Sequence, residues 1–205
     1  MTGSDPYLLA TRSPGKVREL EPLFAEAHIQ VVTLDGAGIE ETPEEDAVEV
    51  FATFEENARA KARYFHERTG LATLADDSGL EVYALGGKPG VFSKRWSGRR
   101  DLKGVALDEA NNAELLRALR DIQDRRARYV CVAALVSSAA DLMRRGEVSG
   151  EILRAPRGSG GFGYDPLFFA TELGKTFGES SLDEKERVSH RGRAFHALLD
   201  AMRRG

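Results

Sequence analysis

Apolar residues recur along this chain at two spacings, and the spacing switches repeatedly. "YLLAT" (7–11) is a short apolar run closed by "RSPGK", which predicts a strand and then a turn. Val17, Leu20, Leu23 and Phe24 then share one helical face, with Ser13 placed as the N-cap and Pro14 at the first helical position. "HIQVVTL" (28–34) predicts the next strand, so the chain opens β–α–β, the sign of an α/β fold. Residues 35–50 are acidic and turn-like. A helix follows from a capping box, Thr53 to Glu56, and stops at Gly70. "LATLA" (71–75) predicts a strand running into "DDSG", where Ser78 and Gly79 are expected to turn the chain. "LEVYALGG" (80–87) continues as a strand, and a helix is expected from about Asp108. "ARYVCVAALVSS" is the clearest buried strand, and "GEVSGEILRAP" and "DPLFFA" are two more. Ser181 and Glu184 make a second capping box. Ser189 starts the last helix, where Phe195, Leu198, Leu199 and Met202 form an apolar stripe. The pattern predicts a mixed sheet with helices on its faces.

Composition narrows the class more than the fold. The 205 residues suit one domain, with room for two lobes. Apolar content of 41% and charged content of 30% are those of an ordinary globular protein. No apolar run reaches the ~20 residues of a membrane span, and the N-terminus lacks the basic and apolar regions of a signal peptide. Cys131 is the only cysteine, so no intramolecular disulfide is possible; a reducing, cytoplasmic setting is expected. A net charge of −4 lacks the basic footprint of a nucleic-acid binder, yet leaves room for a small anion held by a few placed lysines.

Five stretches carry candidate chemistry. In "ATRSPGK" a strand delivers a tight loop to a helix N-terminus, where backbone N–H groups and the helix dipole favour an anion; Lys16 lies within reach of a phosphate. The alternative is a capped helix with a solvent-facing lysine. In "LADDSGLEV", Asp76 and Asp77 stand at the end of a strand, where ligands of open α/β sheets gather. Two acids suit Mg²⁺, which takes one or two carboxylates and keeps waters for substrate phosphates; a polar turn is the alternative. The acidic segment 40–49 is mostly solvated surface, with Glu49, just before the helix at Thr53, as its candidate metal ligand. "RGSGGFGYDPLFF" contains G-x-G-x-x-G at Gly158, Gly160 and Gly163, but Pro166 and an apolar run follow instead of a helix, so the dinucleotide context fails. What remains is a glycine loop presenting Phe162 and Tyr164, either as stacking faces for a base or as core. Finally, "SLDEKERVSHRG" places Lys185, His190 and Arg191 near a helix junction as donors to a carbonyl or phosphate, or as a solvated helix end. One cysteine and four histidines without ligand spacing argue against zinc.

Read in order, "LATRSPGKVREL", "TFEENARAKA", "LADDSGLEVYALGGKPGVFSKRWSG", "NNAELLRAL", "RYVCVAALV", "GSGGFGYDPLFF" and "EKERVSHRGRA" resemble the inosine triphosphate pyrophosphatase family, also described as dITP/XTP pyrophosphatases. The resemblance runs from about residue 8 to the C-terminus and is most specific in "ADDSGL", "GFGYDP" and "SHRG". Two positions depart from the family pattern: Ser13 replaces an asparagine of T-x-N-x-x-K, and Trp96 stands where a tyrosine is usual. The resemblance implies a Mg²⁺-dependent homodimer, with residues 1–205 as one catalytic domain of two lobes and an active-site cleft between them. It implies cleavage of deaminated purine nucleoside triphosphates to the monophosphate and pyrophosphate. By motif position, Asp77 would be general base and metal ligand, with Glu49 on the metal. Thr11, Arg12, Ser13, Pro14, Gly15 and Lys16 would hold the phosphates. Ser78 and Lys185 would contact substrate. Phe162, Gly163, Tyr164 and Asp165 would form the base and sugar wall, and His190 and Arg191 would face the base edge.

Two other readings use the same residues: a pyrophosphatase of different base specificity, and a nucleotide-binding protein without catalysis, which only Ser13 supports. The expected partner is a small nucleotide, with no nucleic acid and no membrane.

Overall fold

Residues 6–204 are described here from a computed structural model. β1 (Tyr7–Leu9) leads into α1 (Pro14–Glu26), capped by the Ser13 hydroxyl, which accepts from the Lys16 amide, with Pro14 in the first turn. β2 (Val31–Thr33) pairs parallel with β1, placing Tyr7 opposite Val31. A 3-10 turn at Pro43–Ala47 interrupts the acidic segment. α2 (Phe54–Thr69) begins at the Thr53 cap and ends at Gly70 in the left-handed region, as the sequence predicts.

β3 (Thr73–Val82) is where the structure departs most from the pattern. It runs unbroken through "DDSG", so Ser78 and Gly79 do not turn the chain. Turn propensity yields to strand pairing here: Gly79 is buried, and the apolar positions on either side continue in the strand. The 3-10 turns at Tyr83–Leu85 and Gly90–Arg95 follow, then α3 (Gly104–Ala118), which starts four residues before Asp108. β4 (Arg126–Val136) and β5 (Asp141–Ile152) are sheet neighbours joined by a short turn, with the Ser137 amide donating to the Ala140 carbonyl. β6 (Phe168–Ala170) and the two-residue β7 (Lys175–Thr176) add antiparallel. α4 (Leu182–Val188) carries the full Ser181–Glu184 capping box, and α5 (His190–Arg204) follows directly after Ser189. The sheet order is β2-β1-β3-β4-β5-β6-β7, with parallel pairs at β1 and antiparallel pairs at β6, so the fold is α/β with a mixed sheet and helices.

The chain divides into two compact units. The first comprises 1–77, 131–146 and 191–205; the second comprises 78–130 and 147–190. Each has its own core. In the first, Leu20, Leu23 and Phe24 of α1 pack with Phe195, Leu198 and Leu199 of α5 against Leu9, Leu74 and Cys131, and Phe24 meets Phe195 edge to face at 5.7 Å. In the second, Leu80, Val82, Leu115, Leu119, Tyr129, Phe168 and Phe177 form the centre, and Trp96 packs against its margin. Among the described residues no helix is long and apolar enough to cross a membrane.

Candidate active site

In the first unit, β1 and β3 lie side by side, so the residues following β1 and those within β3 come together. Thr11 is buried, and its hydroxyl accepts from the Ser13 amide, tightening the loop before α1. Lys16 reaches from the first turn of α1 to Asp76: its ammonium lies 3.0 Å from Oδ2 and donates to the Asp76 carbonyl at 3.4 Å. Arg191, at the start of α5, brings its Nε to 3.4 Å from the same Oδ2 and pairs through Nη1 with Glu19 of α1. Cys131 on β4 directs its thiol to Asp76 Oδ2 at 3.6 Å. Burial pushes the Asp76 carboxyl up, but Lys16 and then Arg191 outweigh it and hold the group far below the ordinary carboxylate range. Burial and the Asp76 charge push the Cys131 thiol up, which makes it inert.

Asp77, one residue on, points to the other face of the strand. Its Oδ2 accepts from Asn57 Nδ2 at 3.0 Å, and Asn57 also ties down both backbone groups of Phe51. Lys61, one helical turn after Asn57, is nearly fully buried and donates to Glu49 Oε1 at 2.5 Å. Burial raises the Asp77 carboxyl; Lys61 and Lys16 pull it down, Glu49 pushes it up, and the net result is a raised value. Glu49 ends lower than usual, because Lys61 and Lys16 outweigh its burial, and Lys61 ends higher because Glu49, Asp76 and Asp77 outweigh the burial of its own charge. Three acids, Glu49, Asp76 and Asp77, and two lysines, Lys16 and Lys61, thus share one small region of this unit.

That arrangement fits a hard divalent cation. Glu49 and Asp77 repel one another, and Asp76 Oδ1 is buried with no hydrogen bond among the described residues. No set of three or more histidine, cysteine or carboxylate groups converges among the described residues, so an ion here would rest on two carboxylates and on oxygens from water and substrate, the habit of Mg²⁺.

Arg12, expected by motif position among the residues that hold the phosphates, is engaged within the protein. Its side chain donates to Glu45, Asp35 and the Ile39 carbonyl. Pro14 and Gly15 form the first turn of α1, and Ser13 serves as its cap.

In the second unit, the glycine loop is held by close packing. Gly158 has φ +76°, and a Cβ there would fall 2.1 Å from the Gly178 carbonyl oxygen. A Cβ on Gly161, at φ +73°, would fall 2.0 Å from Asp165 Oδ2. Asp165 is buried, accepts from the Phe162 amide at 2.8 Å and pairs with Lys185. The Lys185 ammonium also sits 5.1 Å from the centroids of both the Phe162 and Phe177 rings. α3 clamps Gly163 from one side: its amide donates to Asp108 Oδ2 at 2.8 Å, and its carbonyl accepts from Asn112 Nδ2 at 3.0 Å. Turns, not a helix, lead from this loop into β6, so a dinucleotide-binding turn is absent. The two aromatics divide. Tyr164 is core, its hydroxyl donating to the Ser93 carbonyl at 2.7 Å, whereas Phe162 is half-buried. His190 is buried and stacks on Tyr129 with centroids 4.5 Å apart and planes 6° from parallel. Ser78 is half-buried beside Asp77 along β3.

Pattern reading missed Asn57, Lys61, Glu19, Asp108 and Asn112. The signal for the first two is present in "FEENARAKARYF": a polar and a charged residue four apart on the face that also carries Ala58, Ala62 and Phe65. A lysine on an apolar face needs a buried partner.

The Ham1 family model matches residues 7–201. Among curated proteins, a dITP/XTP pyrophosphatase of Thermus thermophilus is 49% identical over 201 residues, covering 97% of this chain and 92% of the relative. One of Mycolicibacterium paratuberculosis is 48% identical over 204 residues, covering 96% and 95%. Among solved structures, the Staphylococcus aureus Ham1 protein superposes with a TM-score of 0.81 at 34% identity, covering 97% of this chain and 98% of that one. A nucleoside-triphosphatase/dITP/XTP pyrophosphatase from Mycobacterium abscessus gives 0.71 at 43% identity, covering 95% and 99%. A match of this length at this identity settles kinship, and the chain belongs to the Ham1 family.

Proposed function

We propose that this chain is a Mg²⁺-dependent nucleoside triphosphate pyrophosphatase. It acts on ITP, dITP and XTP, breaking the α–β phosphoanhydride bridge to give the monophosphate and pyrophosphate and so clearing deaminated purines from the nucleotide pool. The observation that carries this reading is the group formed by Asp77, Glu49, Lys61 and Lys16, on a chain whose near-full-length relatives carry the name dITP/XTP pyrophosphatase.

Glu49 and Asp77 would hold the cation. When bound, Mg²⁺ supplies positive charge for the phosphate oxygens and lowers the pKa of water. Asp77 takes the proton of the attacking water. Water forms the new P–O bond, the bridging P–O bond breaks, and the bridging oxygen leaves with pyrophosphate. Lys16 and Lys61 stabilise the charge that develops on the oxygens. Asn57 orients Asp77 by its 3.0 Å hydrogen bond. No covalent intermediate is needed.

Base selection belongs to the second unit's loop, with Phe162 as the stacking face and Asp165, Lys185, Ser78 and His190 as polar contacts. Arg191 is held by Glu19 and Asp76, and its assigned role is to fix Asp76 and, through it, Lys16. A donor aimed at a purine 6-oxygen faces an amino group in adenine, and an unpaired buried donor costs about 1–3 kcal/mol. The whole chain works as one catalytic domain in the cytoplasm, for which the lone buried cysteine is suited. The active form is a homodimer, and sedimentation equilibrium at micromolar protein tests it against a monomer.

The test of the reaction is Asp77→Asn. It should lower kcat by about 10²–10⁴ while circular dichroism and melting stay close to those of the parent. Undiminished turnover would remove Asp77 from the mechanism.

A further inference from the structure

The acidic run from Glu40 to Glu49 is only partly explained by the site. Glu49 meets Lys61, while Glu45, four residues before it, meets Arg12 at 2.8 Å and lies 3.9 Å from Arg68. Arg12 is the closer partner. Its guanidinium makes four hydrogen bonds, and all of them enter residues 35–45. Nη2 and Nε reach the two carboxylate oxygens of Glu45 at 2.8 and 3.2 Å; Nη1 reaches the Ile39 carbonyl at 2.8 Å and Asp35 Oδ1 at 3.1 Å. The fork on Glu45 is bidentate, and the two side chains are only 21% and 14% exposed, so solvent screens this pair weakly. The Asp35 contact is different: that carboxylate is 91% exposed and adds little. Arg12 sits between Thr11 and Ser13 in the loop before α1. Glu45 lies in the 3-10 turn, and only Asp46, Ala47 and Val48 separate it from Glu49.

We propose that Arg12 is a positioning residue: its clasp on Glu45 ties the 35–49 segment to the loop before α1 and so fixes Glu49 in place as a ligand for the divalent cation. The inference rests on reading Glu49 as a metal ligand. It assigns Arg12 away from substrate phosphate. It also gives Glu45 a structural role within the acidic run, with the loop that carries Lys16 and the segment that carries Glu49 held as one piece.

The experiment compares Arg12→Gln, Glu45→Gln, Arg12→Lys and the exchange Arg12→Glu/Glu45→Arg with the parent. Mn²⁺, which shares the oxygen preference of Mg²⁺, is titrated into nucleotide-free protein and followed by its paramagnetic resonance signal. Amide hydrogen exchange over 35–49 and the Mg²⁺ dependence of pyrophosphate release are read alongside. Arg12→Gln and Glu45→Gln should each weaken Mn²⁺ binding by about tenfold, as expected for one lost charge-assisted fork. Both should speed exchange over 35–49, and Glu45→Gln should recover full turnover at saturating Mg²⁺. Arg12→Lys should recover only part of the affinity, because a point charge cannot fork, and the exchange variant should recover most of it. Two results overturn the proposal. One is a rise in nucleotide KM at saturating Mg²⁺ for Arg12→Gln with Glu45→Gln silent, which makes Arg12 a phosphate ligand. The other is Mn²⁺ affinity and exchange unchanged in both variants. A parent protein that binds Mn²⁺ and shows the exchange pattern but releases no pyrophosphate from ITP would remove the proposed activity and leave the clasp standing.

Discussion

Replacing Asp76 by Asn keeps the shape of the side chain and removes its charge. In the parent this carboxylate is fully buried and faces Lys16 at 3.0 Å and Arg191 at 3.4 Å. Removing one partner of a buried ion pair costs about 3–5 kcal/mol. The lower end applies here, since Arg191 keeps Glu19 and the Lys16 side chain, 15% exposed, can turn to water. About 3 kcal/mol in a chain of this size lowers Tm by roughly 6–12 °C. The pH dependence has a fixed sign. Asp76 has its folded pKa below the ordinary 3.8, so its contribution is complete above that value and is lost as pH falls toward the folded pKa. The gap between parent and Asp76→Asn should therefore be constant from pH 8 to 5, begin to narrow near pH 4, be smaller by about 0.7 kcal/mol at pH 3.5, and approach a slope of about 1.4 kcal/mol per pH unit below about pH 3. Urea denaturation at pH 7 and pH 3.5 measures both quantities. A gap under about 1 kcal/mol at pH 7, the size of a surface pair, would refute the reasoning, as would a gap unchanged at pH 3.5.

Three further outcomes follow from the same geometry. Asp108→Ala removes the acceptor for the Gly163 amide and should raise KM for ITP several-fold, by about 1 kcal/mol of lost hydrogen bond, with kcat and Mg²⁺ dependence kept; steady-state kinetics that show a fall in kcat alone would contradict this. Gly158→Ala drives a Cβ against the Gly178 carbonyl at a positive φ and should cost about 3 kcal/mol or more in chemical denaturation. Cys131 should resist a thiol reagent in the native protein and react once in denaturant, since it is buried and its thiol is pushed up; rapid native labelling would count against the packing around Asp76.

The elements most legible in the sequence are those whose signal is local. The caps at Ser13, Thr53 and Ser181 and the stop at Gly70 set helix ends through hydrogen bonds within a few residues, and those ends are found where the pattern puts them. β3 was obscured because Asp, Ser and Gly favour turns in isolation, whereas pairing with neighbouring strands keeps 73–82 extended. β7 has two residues and no periodicity to read. In the site, spacing pointed to Lys16, Asp76, Asp77 and Glu49, which the first unit gathers into one charge network. Spacing gave no sign that Arg12 and Arg191 would be committed to carboxylates, because Glu45, Glu19 and Asp76 meet them only through tertiary contacts 33, 172 and 115 residues away in sequence. Tyr164 shows the same limit: its ring is apolar enough for core and polar enough for a site, and only packing decides.

The central claim is that this chain releases pyrophosphate from deaminated purine triphosphates. It is tested most directly by incubating the protein with Mg²⁺ and ITP, dITP, XTP, GTP or ATP in turn, and measuring pyrophosphate, orthophosphate and nucleoside monophosphate together. The account predicts one pyrophosphate per monophosphate from ITP, dITP and XTP, at a kcat/KM at least about tenfold above that for ATP, the discrimination one unpaired donor supplies. Orthophosphate as the product, or ATP cleaved as readily as ITP, would contradict it.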